Sequence, residues 1–158
     1  MKSRLIASLA VGAAVVLGTT GCTFITPQSS TITYAAAEGV NVYELGAVEV
    51  RNAFIVADDS GEEGNLIAAF INTTDQMQIV NLSIGEGQTL DLAIRVPAGE
   101  TLSFGTDDLD PIPLDGILMT PGTDIPAHFS ADDAESQITV LPVLDGRLDY
   151  LAPLVPRS

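Results

Sequence analysis

Val48-Glu49-Val50-Arg51-Asn52-Ala53-Phe54-Ile55 decides the fold class. Apolar Val48, Val50, Ala53 and Ile55 are set against the charges Glu49 and Arg51, so the dominant period is two rather than 3.6. A period of two places alternate side chains on opposite faces of an extended chain. The stretch is therefore one long strand with one face toward a core, and it carries an irregularity near Asn52.

The same signal continues downstream. Asp58-Asp59-Ser60-Gly61-Glu62-Glu63-Gly64 is a polar loop. The following run, Leu66-Ile67-Ala68-Ala69-Phe70-Ile71, is a near-continuous apolar strand of the kind buried on both faces. Thr73–Gln76 turns the chain into a strand over 77–84. Gly85-Glu86-Gly87 and Pro97-Ala98-Gly99-Glu100 are turns bracketing a strand over 89–96. Short strands are expected at 101–104, 114–119 and 125–129, and a longer one at 137–144. Turns recur every 8–12 residues or so, the spacing of a sandwich or barrel, with about eight strands in all. No stretch after residue 22 supports a helix longer than a turn or two. Residues 146–158, with Pro153 and Pro156, are expected to trail off as a C-terminal tail.

Upstream, the chain reads as an address. Lys2 and Arg4 precede an apolar run from Leu5 to Leu17, and Thr19, Thr20 and Gly21 are small, the three parts of a secretory signal. At about 13 residues the run is shorter than the roughly 20 that a spanning helix needs. Cys22, the single cysteine, directly follows Gly21. This arrangement resembles a lipobox, with cleavage between Gly21 and Cys22 and lipidation of Cys22; Thr19 stands where leucine is usual. The implied organisation is a lipoprotein signal peptide over 1–21, a lipidated Cys22 and flexible tether over 22–37, a β-sandwich domain over 38–145, and the tail. The expected location is the extracytoplasmic face of the cell membrane. The membrane is engaged through the lipid on Cys22, because acyl chains contribute roughly 0.8 kcal/mol per buried CH₂.

Charge narrows the function classes. The whole chain carries a formal charge of −15. Beyond residue 21 only Arg51, Arg95, Arg147 and Arg157 oppose all 21 acidic residues, with no lysine. Such a field repels nucleic acid, so no nucleic-acid partner is expected.

No catalytic constellation and no cofactor site is expected. His128 is the only histidine and falls on the polar face of a strand, and no Gly-x-Ser-x-Gly elbow accompanies it. The acidic residues Asp58, Asp59, Glu62 and Glu63 in one loop, and Asp107, Asp108, Asp110 and Asp115 in another, lack the spaced pattern of a calcium loop. A glycosidase-like carboxylate pair would need an aromatic-lined cleft, and the chain has no tryptophan. The domain is therefore expected to be non-enzymatic, a binding or structural module whose partner is an envelope protein rather than a small molecule.

Several segments together resemble the periplasmic copper chaperone (PCuAC-like) domain, and more closely its divergent actinobacterial lipoprotein relatives. They are Val48–Phe54, Leu66–Asp75, Ile94–Thr101, Leu114–Ile117, Pro121–Pro126 and Ile138–Val143, so the resemblance covers about residues 45–144. It implies an all-β, cupredoxin/immunoglobulin-like antiparallel β-sandwich of about 7–9 strands, preceded by a signal-peptide helix and a flexible tether. It also implies Cu(I) held by His and Met side chains, the soft donors that ion prefers. The His-x-Met position of that family falls near Pro111-Ile112-Pro113, and the middle strand offers Leu90, Leu92 and Ile94, so its copper motif is absent. A relocated copper site would have to draw on Met77, Met119 and His128, and a calcium site on the acidic loops. Either would require its ligands to converge on one point.

Overall fold

The computed structural model describes residues 37–131 and 134–157, together with Ile6. The expected signal peptide over 1–21 with cleavage at Gly21, the lipidated Cys22 and the tether over 22–37 lie outside the described residues, apart from Ile6 and residue 37. The described residues from 37 onward belong to one compact unit.

Nine strands build the domain: β1 (Val40–Leu45), β2 (Val48–Ala57), β3 (Glu63–Asn72), β4 (Gln78–Ile84), β5 (Leu90–Val96), β6 (Thr101–Phe104), β7 (Ile112–Asp115), β8 (Asp124–Ala131) and β9 (Gln137–Leu144). The all-β sandwich expected from the period-two pattern is what forms. Strands β5, β4, β8 and β9 make one layer in that order, and β2, β3, β6, β1 and β7 make the other. On the free edge of β3, β7 pairs with Glu63–Leu66 and β6 with Ala68–Ile71, so the two short strands lie end to end.

The opposite edge of β2 is shared in the same way. β1 covers its first half, and β9 crosses from the other layer to meet Ile55 and Val56. That last pairing is parallel, over two residues of each strand, while every other pairing of the named strands is antiparallel, as the sandwich reading expects. The parallel pair arises because β9 switches layers and enters beside β2 from the same end.

The irregularity expected near Asn52 is a bulge. Arg51 pairs with Ala69 but Phe54 with Ile67, so Asn52 and Ala53 together oppose Ala68. Asn52 takes a positive φ of 50°, a conformation that Asn tolerates better than most residues. Its backbone N–H donates to Asn41 Oδ1 at 2.8 Å, and its own Oδ1 accepts from the Gly39 N–H at 2.8 Å. One inserted residue switches which parity faces inward. Val48 and Val50 point into the core before the bulge, and Ala53, Ile55 and Ala57 after it. The step of three between Val50 and Ala53 is thus the bulge written in sequence.

The core between the layers is made by the inward sets of each strand, including Leu66, Phe70, Val80, Leu82, Ile84, Phe129 and Leu141. Phe70 meets Phe104 edge to face, with ring centroids 6.0 Å apart. Gly64 is required by close approach: a Cβ there would lie 2.7 Å from the sulfur of Met119.

Two expectations give way. The strand expected over 114–119 runs instead from Ile112 to Asp115. Gly116, at φ 84°, ends it, and Pro113 is accommodated because β7 is an edge strand. The segment after β9 does not trail off. It folds back over the outer face of β2 and β3, where Leu151 packs with Phe54, Val56 and Ile67, flanked by Leu144, Leu154 and Val155. A short 3-10 turn over Ala152–Leu154 shapes it, and Asn65 Nδ2 donates to the Leu154 carbonyl at 2.8 Å. Phe54 and Val56, which the bulge turns outward, are buried for this reason.

Candidate functional site

The sulfur and imidazole candidates are not brought together. Met119 is fully buried in the core against Gly64 and Ile55, and its N–H donates to the Gly61 carbonyl at 2.7 Å. It is a packing residue that ties the β7–β8 loop to the β2–β3 loop. His128 is exposed on the outer face of β8, between Ser83 of β4 and Ile138 of β9. Met77 is exposed just before β4 begins. Gln78 and Ser83 are five strand positions apart, roughly 17 Å, so Met77 and His128 sit toward opposite ends of β4.

The positions to which the resemblance assigns copper do not suit it. Leu90, Leu92 and Ile112 are half-buried side chains packed against the apolar core, and hydrocarbon offers no lone pair to Cu(I). The residues present do not fit that metal.

The carboxylates fall into two places. Asp58 accepts hydrogen bonds from Ser60 Oγ at 2.5 Å and from the Glu63 N–H at 3.3 Å. The Ser60 hydroxyl is the main reason its carboxyl lies below the usual aspartate range. Asp115 reaches the same end of the domain by pairing in register with Glu63. Asp107, Asp108 and Asp110 ride on the excursion between β6 and β7, closed by the Thr106–Leu109 bridge. Among the described residues, no group of three or more His, Cys, Asp or Glu is placed to hold an ion.

Strand register also makes a row that the sequence did not suggest. Asp91, Ser83 and His128 lie side by side across β5, β4 and β8. Residues 83, 91 and 128 become neighbours only through pairing, and no local motif could have signalled it. The Ser83 hydroxyl donates to Asp91 Oδ1 rather than to the imidazole. A nucleophile needs its proton aimed at the base, so this row is not arranged for acyl transfer.

A concavity of about 380 Å³ opens where the C-terminal segment crosses the outer face of β2, β3 and β6. Phe54, Ile67, Phe104 and Leu151 supply its apolar lining, and Glu38 and Tyr150 its polar rim. The Tyr150 hydroxyl donates to Glu38 Oε1 at 2.7 Å, across 112 positions of sequence. This bond is the first cause of the lowered Glu38 pKa and of the raised Tyr150 pKa. Chemically the pair is a clasp: it fastens the last segment to the residues just before β1.

No protein-family profile matches the chain, and no curated protein does. Among solved structures, it is similar to the copper-bound PCuAC domain from PmoF2, with 16% identity, 65% of this chain and 97% of that chain covered, and a TM-score of 0.48. It is likewise similar to the apo PmoF2 PCuAC domain, with 16% identity, coverages of 66% and 94%, and a TM-score of 0.49.

Proposed function

We propose that this chain is a lipid-anchored lipoprotein of the cell envelope. Its β-sandwich is displayed on the extracytoplasmic face and acts by binding a protein partner, without catalysis. The observation that carries the reading is the order of residues 1–22: two cations, an apolar run too short to span, small residues, then the chain's single cysteine. A lone thiol on an exported chain calls for a use, and lipidation supplies one. The distribution of candidate ligands supports a role other than metal carriage: Met119 serves packing, and Met77 and His128 lie far apart.

The test is metabolic labelling of the full chain with an alkyne fatty acid in a bacterial host. Wild type should take up label and sediment with membranes. Cys22→Ser should lose the label and leave the membrane fraction. A wild-type chain that is cleaved and released without label overturns the anchor. Cu(I) and Ca²⁺ titrations of the purified chain test the binding role from the other side: sub-micromolar affinity lost in His128→Ala or Met119→Leu would replace it with metal carriage.

A further inference from the structure

β5 is an edge strand, pairing only with β4 among the described residues. Exposed edges invite pairing with another chain, and proteins blunt them with short length, proline or bulges. The other edges of this domain are blunted in those ways. β6 has four residues, β7 contains Pro113, and β1 meets β2 with two register shifts. β5 has seven residues, no proline, and an unbroken register with β4 from Leu90 to Val96.

Its side chains are self-complementary. The exposed face carries Asp91, Ala93 and Arg95, and the inward face carries Leu90, Leu92, Ile94 and Val96. Leu90 and Leu92 are only half-buried, so apolar area is left at the seam. Arg95 makes no ion pair among the described residues, whereas Arg51 pairs with Glu49 and Arg147 with Asp145. In a chain of charge −15, a guanidinium on an open edge that pairs with none of the described carboxylates is free to meet one on another molecule.

The geometry points to a second copy of this chain, joined β5 to β5 about a two-fold axis through Ala93. Residues directly opposed in an antiparallel pair point to the same face. Centring on Ala93 overlaps all seven residues and sets Asp91 opposite Arg95 of the second copy, twice by symmetry. Small Ala93 meets its own mate at the axis. On the inward side Leu92 meets Ile94 and Leu90 meets Val96, so the half-buried seam closes with apolar contacts. Centring on Asp91 or Arg95 would oppose like charges, and centring on Leu92 or Ile94 would separate the ions. An isologous joint of this kind closes on itself and does not grow into a fibre.

Cysteine crosslinking of the full chain expressed in a bacterial host tests this, with Cys22→Ser throughout so that the introduced thiol is the only one. Opposed residues have Cβ atoms about 4.5–5.5 Å apart, near the span of a disulfide, so Ala93→Cys should give a reducible dimer under a mild oxidant. Asn81→Cys, exposed on the neighbouring strand, would sit about 14 Å from its mate and should not. Arg95→Asp in the Ala93→Cys background should reduce the dimer at least fivefold, and adding Asp91→Arg should restore it. The proposal is overturned if Ala93→Cys gives no more dimer than Asn81→Cys or crosslinks to a different protein. It is equally overturned if Arg95→Asp leaves the yield unchanged, or if the charge swap fails to restore it. Because Cys22 is replaced throughout, none of these outcomes depends on its carrying lipid.

Discussion

Asn52 holds three things at once: a left-handed backbone, the bulge that switches the inward parity of β2, and the approach of Gly39 through its side-chain carbonyl. Replacing it with Ala retains the strained φ and removes the bond, and should lower stability by about 1–3 kcal/mol. Asn52→Gly relieves the strain and should cost less; urea unfolding of the two variants gives the ranking. The Glu38–Tyr150 clasp is sensitive at both ends of the pH scale. Glu38 titrates below its ordinary range, so its contribution is full above that range and is lost as pH falls through the lowered value. Tyr150 titrates above its ordinary value of about 10, so its share is full below that and is lost as pH rises through the raised value. Amide exchange over 146–155, corrected for intrinsic rates, should be slower than in Tyr150→Phe between about pH 5 and about pH 10, and should approach that variant only as pH falls through the lowered Glu38 value or rises through the raised Tyr150 value.

At the scale of elements, the C-terminal segment belongs to the fold. Leu151 is 2% exposed and covers Phe54, Val56 and Ile67. Leu151→Ala should cost about 2–5 kcal/mol, read by thermal or denaturant unfolding. If the segment merely trailed off, the substitution would be silent. Much of the architecture was legible because strands write their faces into sequence. The spacing of Val48, Val50, Ala53 and Ile55 announced both β2 and its bulge, and the double-sided burial of β3 was visible in Leu66–Ile71. What stayed hidden depends on partners remote in sequence. β1 is short and irregularly paired, so its alternation is weak. Prolines at 153 and 156 argue for a loop, and nothing local says that the loop lies on a greasy face. The candidate site was less legible still. Met119 looks like a ligand in a list of soft donors, and only the absence of a side chain at Gly64, across two loops, reveals it as core. The Asp91–Ser83–His128 row and the self-complementary edge of β5 exist only once register is known.

For the whole molecule the dominating quantity is charge. With a formal charge of −15 over 158 residues, the folded domain repels itself, and screening should relieve it. Raising sodium chloride from about 10 mM to about 0.5 M should raise the melting temperature of the full chain, followed by circular dichroism; a fall would mean that local ion pairs outweigh the global field. The closing contacts come from the chain's end. β9 reaches across to β2, and the segment behind it ties Leu154 to Asn65, 89 positions away. Loop closure on that scale is slow, and non-local pairings must wait for it. Until residues 146–155 are laid down, Phe54 and Val56 therefore stay uncovered on the outer face of a sandwich whose nine strands are already present. The greasy outer stripe of β2 is thus the last surface to be sealed, and residues 146–155 set how long it stays open to water.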